Sequence, residues 1–80
     1  MKLPRDLSGD ALARLLKSYG YEIARQTGSH MRLTTQEHGE HHITIPRHDA
    51  LRIGTLAGIL TDVAEHAGIS RDDVALHLFG

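Results

Sequence analysis

The chain has 80 residues, no cysteine and a formal charge of −1, from nine Lys and Arg against ten Asp and Glu. A chain this short fits one domain, expected to span residues 1–80, and leaves no room for a separate cofactor-binding unit. Disulfide staples and thiolate metal sites are excluded, no apolar run approaches the ~20 residues of a membrane span, and near-neutral charge argues against strong, indiscriminate nucleic-acid binding.

Ser8 is an N-cap residue, and Asp10 suits the first helical turn. Leu12, Leu15, Leu16 and Tyr19 follow at helical spacing with Arg14, Lys17 and Ser18 on the wet face, and Gly20 closes the helix. The preceding Met1 to Leu7 reads as an extended lead-in. From Tyr21 to Gln26 the pattern alternates, with Tyr21 and Ile23 on one face and Glu22 and Ala24 on the other. After a turn at Gly28 and Ser29, Met31 and Leu33 point inward while His30, Arg32 and Thr34 point outward. A second hairpin turn falls at Glu37 to Glu40, and the next strand buries Ile43 and Ile45 with His42 and Thr44 opposite. Pro46 ends that strand, and a loop to Ile53 carries Arg47, His48 and Arg52.

Thr55 is the expected cap of a second helix with Leu56, Ile59, Leu60, Val63 and Ala67 as its apolar stripe, closed by Gly68. Ser70 caps a short last helix, with Asp72 and Asp73 in its first turn and Val74, Leu76 and Leu78 as packing residues. Helices covering one face of a three-stranded antiparallel meander give an α+β sandwich.

Charge divides the chain: residues 1–32 carry +3 and residues 33–80 carry −4. The basic part contains the first hairpin turn, where His30 leaves Gly28 and Ser29 between Arg25 and Arg32. An imidazole transfers protons near neutral pH, and guanidinium groups are preferred partners of phosphate. These nine residues, Arg25 to Leu33, therefore read either as a small phosphodiester-handling site or as a polar turn. His38, His41 and His42 invite a metal reading, but consecutive strand residues face opposite ways, so His41 and His42 do not chelate together. No metal site and no cofactor are expected.

Five segments in order carry a family likeness: Tyr19-Gly20-Tyr21, Arg25 to His30, Ile43 to His48, Gly54-Thr55-Leu56 with Ile59-Leu60, and Ala67 to Ser70. The set resembles the HicA (YcfA-like) toxins, the ribonuclease partners of HicA–HicB toxin–antitoxin pairs. The resemblance implies a double-stranded-RNA-binding-domain-like α-β-β-β-α fold, here with a short extra C-terminal helix. It also implies an mRNA-cleaving endoribonuclease held inactive by a HicB-like antitoxin, monomeric when free and hetero-oligomeric with the antitoxin. The family's functional histidine falls on His30. The chain departs from the family in its slightly acidic balance and in a Gly54–Gly68 stretch roughly one helical turn longer.

Metal-free RNA cleavage needs a base for the 2′-hydroxyl proton, an acid for the leaving 5′-oxygen, and cations for the charge on phosphorus. His30 is the expected catalytic group. His48 is the candidate second acid or base, with a plain loop histidine as the alternative. Arg25, Ser29, Arg32, Arg47 and Lys17 form the expected RNA- or phosphate-binding set, and the helix start at Gly54-Thr55 offers free N–H groups to an anion. The N-terminus lacks a signal-peptide pattern, so the cytoplasm is the expected location. Two other functions share these residues: an RNA-binding module that does not cut, and an inert antitoxin-binding domain.

Overall fold

The computed structural model describes residues 2–80; Met1, the first residue of the expected lead-in, lies outside them. The order is helix, three strands, helix, helix, an α+β arrangement of the expected α-β-β-β-α kind with an extra C-terminal helix. Helix α1 (Gly9–Leu15) starts where Ser8 Oγ accepts the Ala11 N–H at 3.0 Å. It tightens into a 3₁₀ turn over Leu16–Tyr19 and stops at Gly20, whose φ of +81° is left-handed. Leu12, Ala13 and Leu16 form its buried stripe, while Leu15 and Tyr19 are only half-buried. Thr35 Oγ1, itself buried, donates to the Tyr19 carbonyl at 2.9 Å and so pins the helix end to the sheet.

Strands β1 (Glu22–Gln26), β2 (His30–Thr35) and β3 (His41–Pro46) form an antiparallel sheet in that order. Met31, Leu33, Ile43 and Ile45 are buried on the helix side, as their alternation requires. Strand β1 breaks the expected alternation. The register runs Ile23 to Leu33 and then Arg25 to Arg32, so a bulge at Ala24 inserts one residue and turns Arg25 to the face away from the helices. Tyr21 just before the strand is buried, but Ile23 is 46 % exposed because β1 is a sheet edge.

Helix α2 (Ile53–Ala67) begins earlier than expected. Its N-cap is Arg52, in extended conformation and without a side-chain cap, which leaves Thr55 inside the first turn. The buried stripe is Leu56, Ile59, Leu60, Val63 and Ala64, with Ala67 half-buried at the margin. Helix α3 (Arg71–Phe79) starts at Ser70, whose Oγ accepts the Asp73 N–H at 3.0 Å. It packs through Val74 and Ala75; Leu78 is half-buried, and Leu76 points out at 62 % exposure, because at 3.6 residues per turn residue 78 falls on the same face as 74 and 75 while residue 76 falls on the far side.

The segments before α1 and after β3 hold each other in place. Leu51 N–H donates to the Leu7 carbonyl at 2.8 Å, and Gly9 N–H to the His48 carbonyl at 3.0 Å. Gly9 is buried against the β3 exit, where a Cβ would overlap the Pro46 carbonyl oxygen. Glycine is therefore required there by close backbone approach. This contact sets the start of α1 beside the chain that leads to His48.

Candidate active site at the first hairpin turn

Thr27 builds the turn. Its Oγ1 accepts the N–H groups of Ser29 at 3.3 Å and His30 at 3.1 Å, while its own N–H donates to the His30 carbonyl at 2.9 Å. A threonine hydroxyl standing in for a backbone acceptor is a turn-forming device. Gly28 is not in a left-handed conformation, and a Cβ on it would meet nothing within 4 Å. The fold itself thus does not demand glycine at 28.

His30 opens β2 with its side chain exposed. Ser29 Oγ lies 2.9 Å from His30 Nδ1 and orients the ring. When Nδ1 accepts from the serine hydroxyl, Nε2 carries the hydrogen; when Nδ1 donates, Nε2 holds a free lone pair. Either proton-transfer role is therefore open to the outer nitrogen.

Arg25 and Arg32 are direct cross-strand partners, both exposed, with Thr44 on the other side of Arg32. Among the described residues neither pairs with a carboxylate. Like charges directly opposite destabilise a sheet, so this pair is an electrostatic cost to the isolated fold that a bound anion would relieve. Strict alternation would have turned Arg25 toward the helices; the bulge brings it beside Arg32.

Arg47 is differently placed. Its NH1 donates to the Thr27 carbonyl at 3.3 Å, its Nε and NH2 reach the Asp10 carboxylate at 3.3 and 3.5 Å, and its backbone N–H donates to the Ser29 carbonyl at 2.8 Å. It clamps the turn to α1. The Pro46–His30 register, extended by the Arg47–Ser29 bond, carries the β3 exit along the turn, so His48 follows in the segment beside it with an exposed ring. Lys17 stands on the 3₁₀ turn that follows α1, away from the Arg25–Arg32 row, at a groove of about 150 Å³ between α1 and β1.

A second polar cluster lies at the opposite end of the sheet. Tyr21 Oη is 2.8 Å from His41 Nδ1, and the His41 ring stacks on His66 with centroids 4.4 Å apart. His66 Nε2 donates to the carbonyls of Glu37 and Gly39, each at 2.9 Å. Burial, with His66 alongside, holds His41 below its ordinary pKa, and Asp62 opposes this. Burial and then Asp62 push the Tyr21 phenol up to about 12. His42 turns the other way, to Thr34 at 2.7 Å and Glu40 at 2.8 Å, as strand alternation requires. Among the described residues no three His, Asp or Glu side chains converge as metal ligands. Neither cluster partner, Tyr21 or His66, is near His41 in sequence, so no local pattern could have disclosed this group.

The family model described as HicA toxin of bacterial toxin-antitoxin matches residues 9–69, from the first turn of α1 to just past α2. The chain belongs to the HicA toxin family. No curated protein and no solved structure matches it. The HicA match spans the Thr27–His30 turn and both arginines of the cross-strand pair, and it leaves α3 outside. As a HicA toxin the protein is one half of a toxin–antitoxin system, and an antitoxin is its implied partner. Among the described residues no helix is long and apolar enough to cross a membrane.

Proposed function

We infer that this HicA toxin is a metal-independent endoribonuclease acting on mRNA, with His30 as its proton-transfer group. The single observation that carries the reading is an exposed imidazole, oriented by Ser29 Oγ at 2.9 Å, on the same hairpin as two directly opposed, exposed arginines. In the reaction the ribose 2′-oxygen bonds to phosphorus and the P–O5′ bond breaks, giving a 2′,3′-cyclic phosphate and a 5′-hydroxyl. His30 Nε2 takes the 2′-hydroxyl proton, and the leaving 5′-oxygen receives a proton from a second acid, with His48 in the adjoining segment as the candidate. Arg25 and Arg32 neutralise the charge that grows on the phosphoryl oxygens. Ser29 positions the ring, and Arg47 acts through the turn it clamps. Proton transfer by one positioned side chain gives about 10²–10⁴-fold acceleration, which makes a slow enzyme with an abundant target.

The test is cleavage of a labelled RNA in EDTA by wild-type protein and by His30→Ala. Wild type cuts and the variant, with an unchanged melting curve, does not. Strict dependence on a divalent metal, or undiminished cutting by His30→Ala, rules the mechanism out.

A further inference from the structure

We propose that the groove between α1 and β1 is a nucleobase subsite, which receives one single-ring base of the RNA next to the phosphate handled at the His30 turn. This rests on the nuclease reading above. Ala13, Tyr21 and Met31 lie beneath the groove, almost fully covered, so the apolar surface open to a ligand is mainly that of Ile23, half-exposed at the mouth; Asp10 also lines it, with its carboxylate held by Arg47. Its volume is about 150 Å³. An enclosed apolar cavity of roughly 150 Å³ takes up a benzene molecule; this groove, open on one side, has room for one six-membered ring against Ile23, and a fused purine extends past it.

The rim fits what lies on either side of an inserted base. Arg14 on α1 and Lys17 on the 3₁₀ turn after it flank the opening, both exposed and neither paired with a carboxylate among the described residues. Cations at this spacing along a helix meet backbone phosphates, which give affinity without reading sequence. The groove is also continuous with the catalytic turn. Arg47 lines its end and donates to the Thr27 carbonyl, while Met31 lines its floor and directly follows His30 in β2. Successive strand residues face opposite ways, so a nucleotide chain crossing the end of the hairpin meets the imidazole on one side and the groove on the other. That continuity favours RNA over a side chain of a protein partner, which the apolar floor alone would accept equally.

Binding is measured by fluorescence anisotropy at low salt, using His30→Ala protein so that no cutting occurs. The probes are cytidine hexamers, an adenosine hexamer, and cytidine hexamers with one abasic position moved along the chain. The cytidine hexamer is expected to bind more tightly than the adenosine one. One abasic position weakens binding about tenfold, as for loss of one base contact. Ile23→Ala, at a half-exposed site, weakens the intact hexamer several-fold and abolishes the effect of that abasic position, because both changes remove the same contact. If RNA binds but every abasic position and Ile23→Ala leave affinity unchanged, the groove is left to a protein side chain and the subsite is refuted while the nuclease reading stands. If no hexamer binds and wild type cuts no RNA, the reading beneath it fails as well.

Discussion

Replacing Gly9 with alanine drives a methyl group into the end of β3. A Cβ at Gly9 overlaps the Pro46 carbonyl oxygen and sits 3.1 Å from the carbonyl carbon and 3.3 Å from Ile45 Cγ2. The first two atoms are backbone and cannot rotate aside, so α1 and the β3 exit must part, which breaks the Gly9–His48 hydrogen bond. Overpacking of this kind costs about 1–3 kcal/mol, and the lost bond about 0.5–1.5 kcal/mol. Alanine's better helix propensity offsets up to about 1 kcal/mol. The net loss is roughly 0.5–4.5 kcal/mol, with a fall in Tm of about 4–8 °C for each kcal/mol in a domain of this size. Thermal unfolding by circular dichroism reads it directly. Gly28→Ala is the matched control, because its methyl group enters open space and its backbone is not left-handed. That variant melts as wild type or up to about 1 kcal/mol more stably, yet it cuts RNA more slowly, since the methyl occupies space beside the turn. A Gly9→Ala protein that melts at or above the wild-type temperature refutes the close-approach argument.

Tyr21→Phe removes the hydroxyl bonded to His41 and lowers stability by about 1 kcal/mol, measured by urea unfolding; no change shows that the bond is not formed in solution. His41 is held below its ordinary value of 6.5 in the fold, so it binds its proton more readily when unfolded. Its contribution is therefore complete above pH 6.5 and is lost as the pH falls below that value toward its lower folded pKa. Melting scans across this range detect the loss, and His41→Gln flattens that part of the profile if the assignment is right. Arg32→Gln relieves repulsion from Arg25 and raises stability by about 0.2–1 kcal/mol, while it weakens RNA binding and reduces its salt dependence. A variant that is less stable and binds RNA as before contradicts both parts.

The ends of the helices were legible because their signals are local. Ser8 and Ser70 reach N–H groups three residues on, and Gly20 and Gly68 supply left-handed backbone. Strands β2 and β3 were legible because alternation follows from a regular ladder. What failed depended on partners elsewhere in the chain. The bulge at Ala24 is a property of the β1–β2 pairing rather than of β1. Arg52 replaced Thr55 at the start of α2 because Leu51 is tied to Leu7 and buried, which sets where the helix emerges. At the site, the turn and His30 could be read from nine consecutive residues. Arg47 could not, because its role as a clamp is defined by Asp10, 37 residues away.

The extra residue at Ala24 reaches beyond the aim of one guanidinium. Strand β1 is one of the sheet's two edge strands, and an unbroken, flat edge strand invites another chain to zip alongside it. By kinking the ribbon between Ile23 and Arg25, the insertion spoils that template and sets a positive charge in the path of any incoming copy. Deleting one alanine would restore a tidy ladder, swing Arg25 under the helix, and hand the cell a protein prone to stick to itself.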